Sequence, residues 1–182
     1  MEKRAGIVFG EIVLIAGLIW IDRLVKNWAY ISLKEAASIP IIRGIFQLTY
    51  AQNIGAAFSI LENAKWFFIL TALIITAVIL FSIIRIVSHP KFSMKDKSTA
   101  ITLVLFAMIV AGALGNVIDR IMYGFVIDMF DFVLIHFPIF NVADSYIVVA
   151  VIILGILLIV KKDFLEHMEQ LIRKEKPADD KS

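Results

Sequence analysis

Apolar residues in this chain come in long blocks rather than in alternation. Four blocks reach the roughly 20 residues a helix needs to cross a bilayer: 7–29, 66–87, 99–118 and 139–160. The second and fourth are the cleanest. The first and third turn polar toward their C-terminal ends, at Asp22, Arg23 and Lys26 and at Asn116, Asp119 and Arg120. The stretch 31–64 reads differently. Ile39 to Tyr50 is rich in β-branched and aromatic residues around Gly44, which predicts a small sheet or hairpin. Asn53-Ile-Gly-Ala-Ala-Phe-Ser59 predicts a tight turn running into a short helix. The fold class expected is an all-α membrane protein of four transmembrane helices with a small outer β segment. One membrane-embedded domain covers 1–165, and 166–182 is a charged tail ending in a stretch, Pro177 to Ser182, of disordered character.

Orientation follows from Lys and Arg in the flanking segments. With the N-terminus inside, the cytoplasmic parts hold twelve: Lys3, Arg4, Arg85, Lys91, Lys95, Lys97, Lys161, Lys162, Arg173, Lys174, Lys176 and Lys181. The outer parts hold four, Lys34, Arg43, Lys65 and Arg120. Both termini are therefore expected in the cytoplasm. The basic start and apolar run from Ile7 have the shape of a signal sequence, but Asp22, Arg23 and Lys26 arrive where small cleavage-site residues belong. The first helix reads as uncleaved.

Composition agrees with a bilayer. The chain is 60% hydrophobic and 19% charged, against about half and a quarter in a soluble domain. A net charge of +2 gives no electrostatic footprint for nucleic acid. The absence of cysteine removes disulfides, thiol nucleophiles and thiolate metal sites. His89, His136 and His167 are dispersed, with no HExxH spacing and no GxSxG elbow to build a serine site. Neither metal nor cofactor is expected. No internal repeat of useful length appears, which weakens an inverted-repeat transporter.

Charge inside a bilayer costs about 2.5–3.5 kcal/mol per residue at mid-helix, less toward the interface. Here the polar residues form groups. Asp22 and Lys26, four apart, share a helix face and can pair, while Arg23 points elsewhere, toward headgroups. Glu11 is expected as an interfacial carboxylate near Lys3 or Arg4. Asn116, Asp119 and Arg120 end the third helix on one face, after a strip of small residues, Ala107, Ala111 and Gly115, that lets a helix or an extended peptide approach closely. Asn141 and Asp144 open the fourth helix, as a cap and a dipole-favoured acid, yet Asp128 and Asp131 also lie in the short connection before it. All except Glu11 fall at the outer level, which suggests one polar pocket. Two neighbouring carboxylates that cannot both ionise cheaply share a proton. Spacing leaves Asp119, Asp128 and Asp131 all open as partners for Asp144.

The residues resemble a known family, the bacterial lipoprotein signal peptidases (signal peptidase II). The resemblance rests on Asp22-Arg-Leu-Val-Lys26, Asn53-Ile-Gly-Ala-Ala-Phe-Ser59, Gly112-Ala-Leu-Gly-Asn-Val-Ile-Asp-Arg120, Val126-Ile-Asp128 and Phe140-Asn-Val-Ala-Asp-Ser145, in that order over about 7–160. It implies an aspartyl endopeptidase of the bacterial inner membrane, with its active site on the extracytoplasmic side beneath a β-cradle formed by the outer segment. By position, Asp128 and Asp144 are the implied catalytic pair. Asn53, Gly55, Asn116, Arg120 and Asn141 are implied to hold substrate or orient the pair, and Asp22, Lys26 and Asp119 to be structural. Asp131 falls outside the motifs as a bystander. The implied substrate is a prolipoprotein cut just before a diacylglyceryl-modified cysteine, with membrane lipid as surroundings, no nucleic acid, and a monomeric enzyme. Small residues before that cysteine would fit a gap beside Gly112 and Gly115. The alternative is a small proton- or ion-coupled transporter, which needs polar residues continuing to the cytoplasmic side; helices two and four offer almost none. A non-catalytic scaffold is a third class.

Overall fold

A computed structural model describes residues 2–36, 38–55 and 64–160, and beyond these positions 164, 169, 171 and 172. Four helices, α1 (Glu2–Leu33), α2 (Lys65–Ser88), α3 (Lys97–Tyr123) and α4 (Val142–Val160), are each long and apolar enough to cross a membrane. Three strands, β1 (Ile39–Ile42), β2 (Phe46–Asn53) and β3 (Val126–Asp131), and a short 3-10 turn at Val133–Ile135 lie between them. Each expected span falls on one of these helices. The differences are at the ends. α1 and α3 run several residues past their apolar blocks, because good helix formers and polar contacts continue there. α4 starts at Val142 rather than at 139, because Phe140 is held in a β-bridge with Phe130 and the Asn141 side chain caps the helix.

α3 is the hub. Thirteen of its residues are buried, against five in α2 and two in α4. Its start is fixed by Asp96, whose side chain accepts from the backbone N–H of Ser98 and Thr99 at 3.3 and 2.9 Å, a capping arrangement. Its end is fixed by Gly124, which takes the left-handed conformation at φ +87° that closes a helix at little cost only in glycine. The faces of α2 and α4 away from α3 are covered with exposed Trp66, Leu70, Phe81, Ile152 and Ile159. Such a surface is stable against lipid and not against water.

The small-residue strip is used for packing. A Cβ on Gly112 would run into the backbone carbonyl of Ala143 and come within 2.7 Å of the Ile147 side chain. On Gly115 it would meet the Asp22 carboxylate at 2.8 Å. The space beside these glycines, expected to receive substrate, is filled by α4 and by Asp22.

The β structure is larger than expected. β1 and β2 form an antiparallel hairpin whose turn includes Gly44 at φ +73°. β3 adds to the other edge of β2, giving the order β1-β2-β3. The sheet thus joins the α1–α2 and α3–α4 connections, where the sequence suggested β structure only in 31–64. Between Leu48 and Ala51 the β2–β3 register shifts by one residue, a bulge in β2. The short helix expected after Asn53 lies outside the described residues, as does the Pro177–Ser182 end.

At the opposite end of the bundle, Arg4 donates to the carbonyl oxygens of Ser88 and His89 at 2.7 and 3.1 Å, so it closes the end of α2 rather than meeting Glu11. Glu11 is itself buried. Phe164 and Leu171, beyond α4, are buried against Ile83, Ile86, Val87 and Leu103.

Gly112→Ala should lower the melting temperature of the detergent-solubilised protein, since over-packing costs about 1–3 kcal/mol. Gly155→Ala, which meets nothing within 4 Å, should not. Equal melts would show that α3 and α4 can separate freely here.

Candidate active site

The site grows from the start of α4. Asn141 precedes the helix, and its side-chain Oδ1 accepts from the Asp144 N–H at 3.0 Å while the Asp144 carboxylate accepts from the Asn141 N–H at 3.2 Å. This is a reciprocal capping box. A third donor of that first turn, the Ala143 N–H, is satisfied by Asp22 Oδ1 at 3.0 Å. The capping reading of Asn141 and Asp144 is therefore correct, and it is not the whole story.

Each capping group has a second engagement. Asn141 Nδ2 donates to Asp128 Oδ1 at 2.6 Å and to Asn116 Oδ1 at 3.2 Å. Asn116 Nδ2 donates to Asp144 Oδ1 at 2.7 Å. From the sheet, Asn53 Nδ2 donates to the other oxygen of Asp128 at 2.9 Å. Asp128 on β3 and Asp144 on α4 are thus linked through Asn141, which touches both carboxylates. Asp128 is 1% exposed. Burial, then the nearby charge of Asp144, push its carboxyl up to about 7, against hydrogen bonds from Asn53 and Asn141 and the charge of Lys26 that favour the ionised form. A carboxyl so placed can hold or release a proton near neutrality.

Beneath this pair lies an ion cluster closed to solvent. Lys26 Nζ stands 2.9 Å from Asp22 and 3.0 Å from Asp119, and donates to Asn116 Oδ1 at 2.9 Å. All three charged side chains are fully buried. Arg23, expected at headgroups, instead pairs with Asp119 and reaches the Tyr123 hydroxyl. Asp119 also accepts from the Ile127 N–H at 3.3 Å, one residue before Asp128.

The three open candidates for the partner of Asp144 now separate. Asp119 is taken up by Arg23, Lys26 and Ile127. Asp131 lies on the other side of the sheet's bulge, accepting from Gln47 Nε2 at 2.7 Å and Thr49 Oγ1 at 3.4 Å. Asp128 accepts from the side chain of Asn141, whose backbone N–H donates to the Asp144 carboxylate. Among the described residues no group of three or more His, Asp or Glu could hold a metal ion.

Comparison with known proteins identifies the family. Residues 14–160 match the family described as Signal peptidase (SPase) II. The chain belongs to the signal peptidase II family. It is 41% identical over 151 residues to a lipoprotein signal peptidase of Caldanaerobacter subterraneus subsp. tengcongensis, covering 82% of this chain and 96% of that one. A lipoprotein signal peptidase of Streptococcus pyogenes serotype M5 is 41% identical over 166 residues, covering 90% and 99%. A solved bacterial membrane enzyme superposes with a TM-score of 0.70 at 27% identity, covering 94% of this chain and 95% of that one. None of these likenesses supports a transporter.

The remaining motif residues lie around the pair. Arg120 donates to the Gly55 carbonyl at 3.1 Å and sits over the Phe68 ring. Asn53 Oδ1 accepts from the Gly55 N–H at 3.0 Å, which fixes the strand end that presents Asn53. What the sequence did not disclose is the set of partners: Arg23 for Asp119, Tyr123 for Arg23, and Gln47 and Thr49 for Asp131.

Lys26→Ala leaves Asp22 and Asp119 without their shared buried cation, a change that costs about 3–5 kcal/mol. The expected outcome is a large fall in folded yield and melting temperature, exceeding any fall in turnover of the protein that survives. Full stability with no turnover would move Lys26 into the reacting group.

Proposed function

We propose that this chain is an aspartyl endopeptidase that removes signal peptides from prolipoproteins, with Asp128 and Asp144 as its catalytic pair. The observation that carries the reading is the Asn141 bridge, which holds a buried carboxyl tuned to about 7 beside a second carboxylate. Two acids so placed divide the work of peptide hydrolysis. The ionised member takes a proton from a water, which attacks the scissile carbonyl carbon; the protonated member donates to the carbonyl oxygen as it becomes tetrahedral. The acid that took the water's proton then passes it to the amine nitrogen as the C–N bond breaks, and a hydroxyl of the intermediate returns a proton to the other carboxylate as the carbonyl re-forms. The pair titrates as a unit.

Asn53, Asn116 and Asn141 orient the carboxylates. Arg120, whose guanidinium already accommodates a backbone carbonyl at Gly55, is suited to hold a carbonyl of the substrate. The family's substrates support cleavage just before a diacylglyceryl-modified cysteine, with the acyl chains left in lipid and the scissile bond at the interface, where water can reach it. The twelve-to-four distribution of Lys and Arg supports a multi-pass protein of the bacterial inner membrane with its termini in the cytoplasm and the site on the extracytoplasmic side. A single bundle holds every residue of the site, which supports a monomer.

The test is cleavage of a lipid-modified prolipoprotein in detergent or liposomes, read by gel shift. Asp128→Asn and Asp144→Asn should each lower turnover by at least about a hundredfold, the scale of a lost acid–base group, while the protein still inserts. Normal processing by either variant would remove the pair from the mechanism.

The pH profile has a definite sign. Loss of the shared proton ends activity, so the rate should fall as pH rises through and above about 7, the value of Asp128. Asn53→Ala removes a hydrogen bond that favours the ionised carboxylate, so this alkaline limb should move to higher pH. A shift to lower pH would contradict the assignment.

A further inference from the structure

Asp131 belongs to no motif and makes no contact with the pair, yet it is tied to the part of the sheet on which the pair depends. β3 runs without a bulge, so Asp131 and Asp128, three apart, face opposite sides. β2 must supply a partner to each. Gln47 pairs directly with Asp131 and Ala51 with Asp128, and the extra β2 residue lies between them. Without the bulge, Tyr50 rather than Ala51 would oppose Asp128, and Gln52 rather than Asn53 would lie on its face. A one-residue slip moves every side chain to the other face. The Asn53 amide reaches Asp128 at 2.9 Å only because the bulge shifts β2 by one residue.

The bulge has an evident clamp. Asp131 Oδ2 accepts from Gln47 before the bulge and from Thr49 within it, at 2.7 and 3.4 Å. On the far edge of β3, Phe140 accepts from the Met129 and Phe130 N–H groups at 3.0 and 2.8 Å, so β3 is held from that side and a change of register falls on β2 together with its hairpin partner β1.

We infer that Asp131 is a positioning residue: its carboxylate pins Gln47 and Thr49, locks the β2 bulge, and so delivers Asn53 to Asp128. The inference rests on the proposed role of Asp128, and the tests are chosen to separate the two.

The first readout needs no activity. The chain has no cysteine, so Gln52→Cys with Ile127→Cys, directly opposed across β2 and β3, supplies a single thiol pair that reports register by oxidative cross-linking. Adding Asp131→Ala should slow cross-linking about tenfold, the scale of one charge-assisted hydrogen bond. Unchanged cross-linking overturns the inference whatever the chain cleaves.

The second readout is kinetic. Asp131→Ala should lower kcat/KM for the lipidated substrate about tenfold. It should also move the alkaline limb of the pH profile upward, as Asn53→Ala does. The charged groups near Asp128, namely Asp144 on α4, Lys26 on α1 and Arg120 on α3, are untouched by the change. Asp131→Asn, which keeps an acceptor oxygen, should restore most of the rate, and Gln47→Leu should reproduce the loss from the other strand if Asp131→Ala folds poorly. Combined with Asn53→Ala, Asp131→Ala should add nothing further, because both remove the same bond. Multiplying losses, or a fall in rate with an unmoved limb, would make Asp131 merely structural and overturn the inference. An inactive Asp128→Asn beside these results keeps the pair; an active one removes the proposed function and leaves the register result standing.

Discussion

The buried ammonium of Lys26 is the interaction from which the rest of the site's half of this protein follows. Removing a single charge from water costs several kcal/mol even after relaxation. Lys26 is held where three helices meet because Asp22 and Asp119 answer it at 2.9 and 3.0 Å. With Arg23 on Asp119, the cluster contains two cations and two anions and is neutral. Each member also does a second task. Asp22 receives a backbone N–H from the first turn of α4, Asp119 receives one from β3, and Lys26 donates to Asn116, the amide that contacts Asp144. The cluster fixes where α4 begins and where β3 begins, and those two starts carry Asp144 and Asp128. A neutral cluster of this kind is how a bundle this apolar tolerates so many ionisable groups.

Much of this was legible in the sequence, and for identifiable reasons. Helix-length apolar blocks with Asp22, Lys26, Asn116, Asp119 and Asp144 near their polar ends set both the topology and the level of the site, because helical periodicity places residues three or four apart on one face. The hairpin around Gly44 was visible in its β-branched residues and its turn. Spacing alone could not choose between Asp119, Asp128 and Asp131, since all three lie within a short stretch; the motif resemblance pointed to Asp128, and Asp119 and Asp131 have partners of their own, Lys26 and Arg23 for the one and Gln47 and Thr49 for the other.

What the sequence withheld was non-local. β3 was hidden because Val126 to Asp131 carries two acids in six residues, which reads as a polar connection, and only its pairing to β2 reveals a strand. The destination of Arg23 was missed because a cation at a helix end near the interface has many outlets, and the choice depends on a carboxylate 96 residues away. The space beside Gly112 looked available for a peptide because small residues in a strip say only that something approaches, not what; Ala143 and Ile147 are what approach. The register shift in β2 is invisible to any one-dimensional reading, since it is a property of two strands together.

One consequence of the capping box at α4 concerns stiffness. Asp144 is welded into the first turn of a membrane helix by its own cap, so its carboxylate can travel only if the helix end unwinds. Asp128 rides on a three-stranded ribbon assembled from two separate excursions of the chain. The separation between the acids is therefore set by how that ribbon is seated on the bundle, where the Asn141 amide pins it to the start of α4.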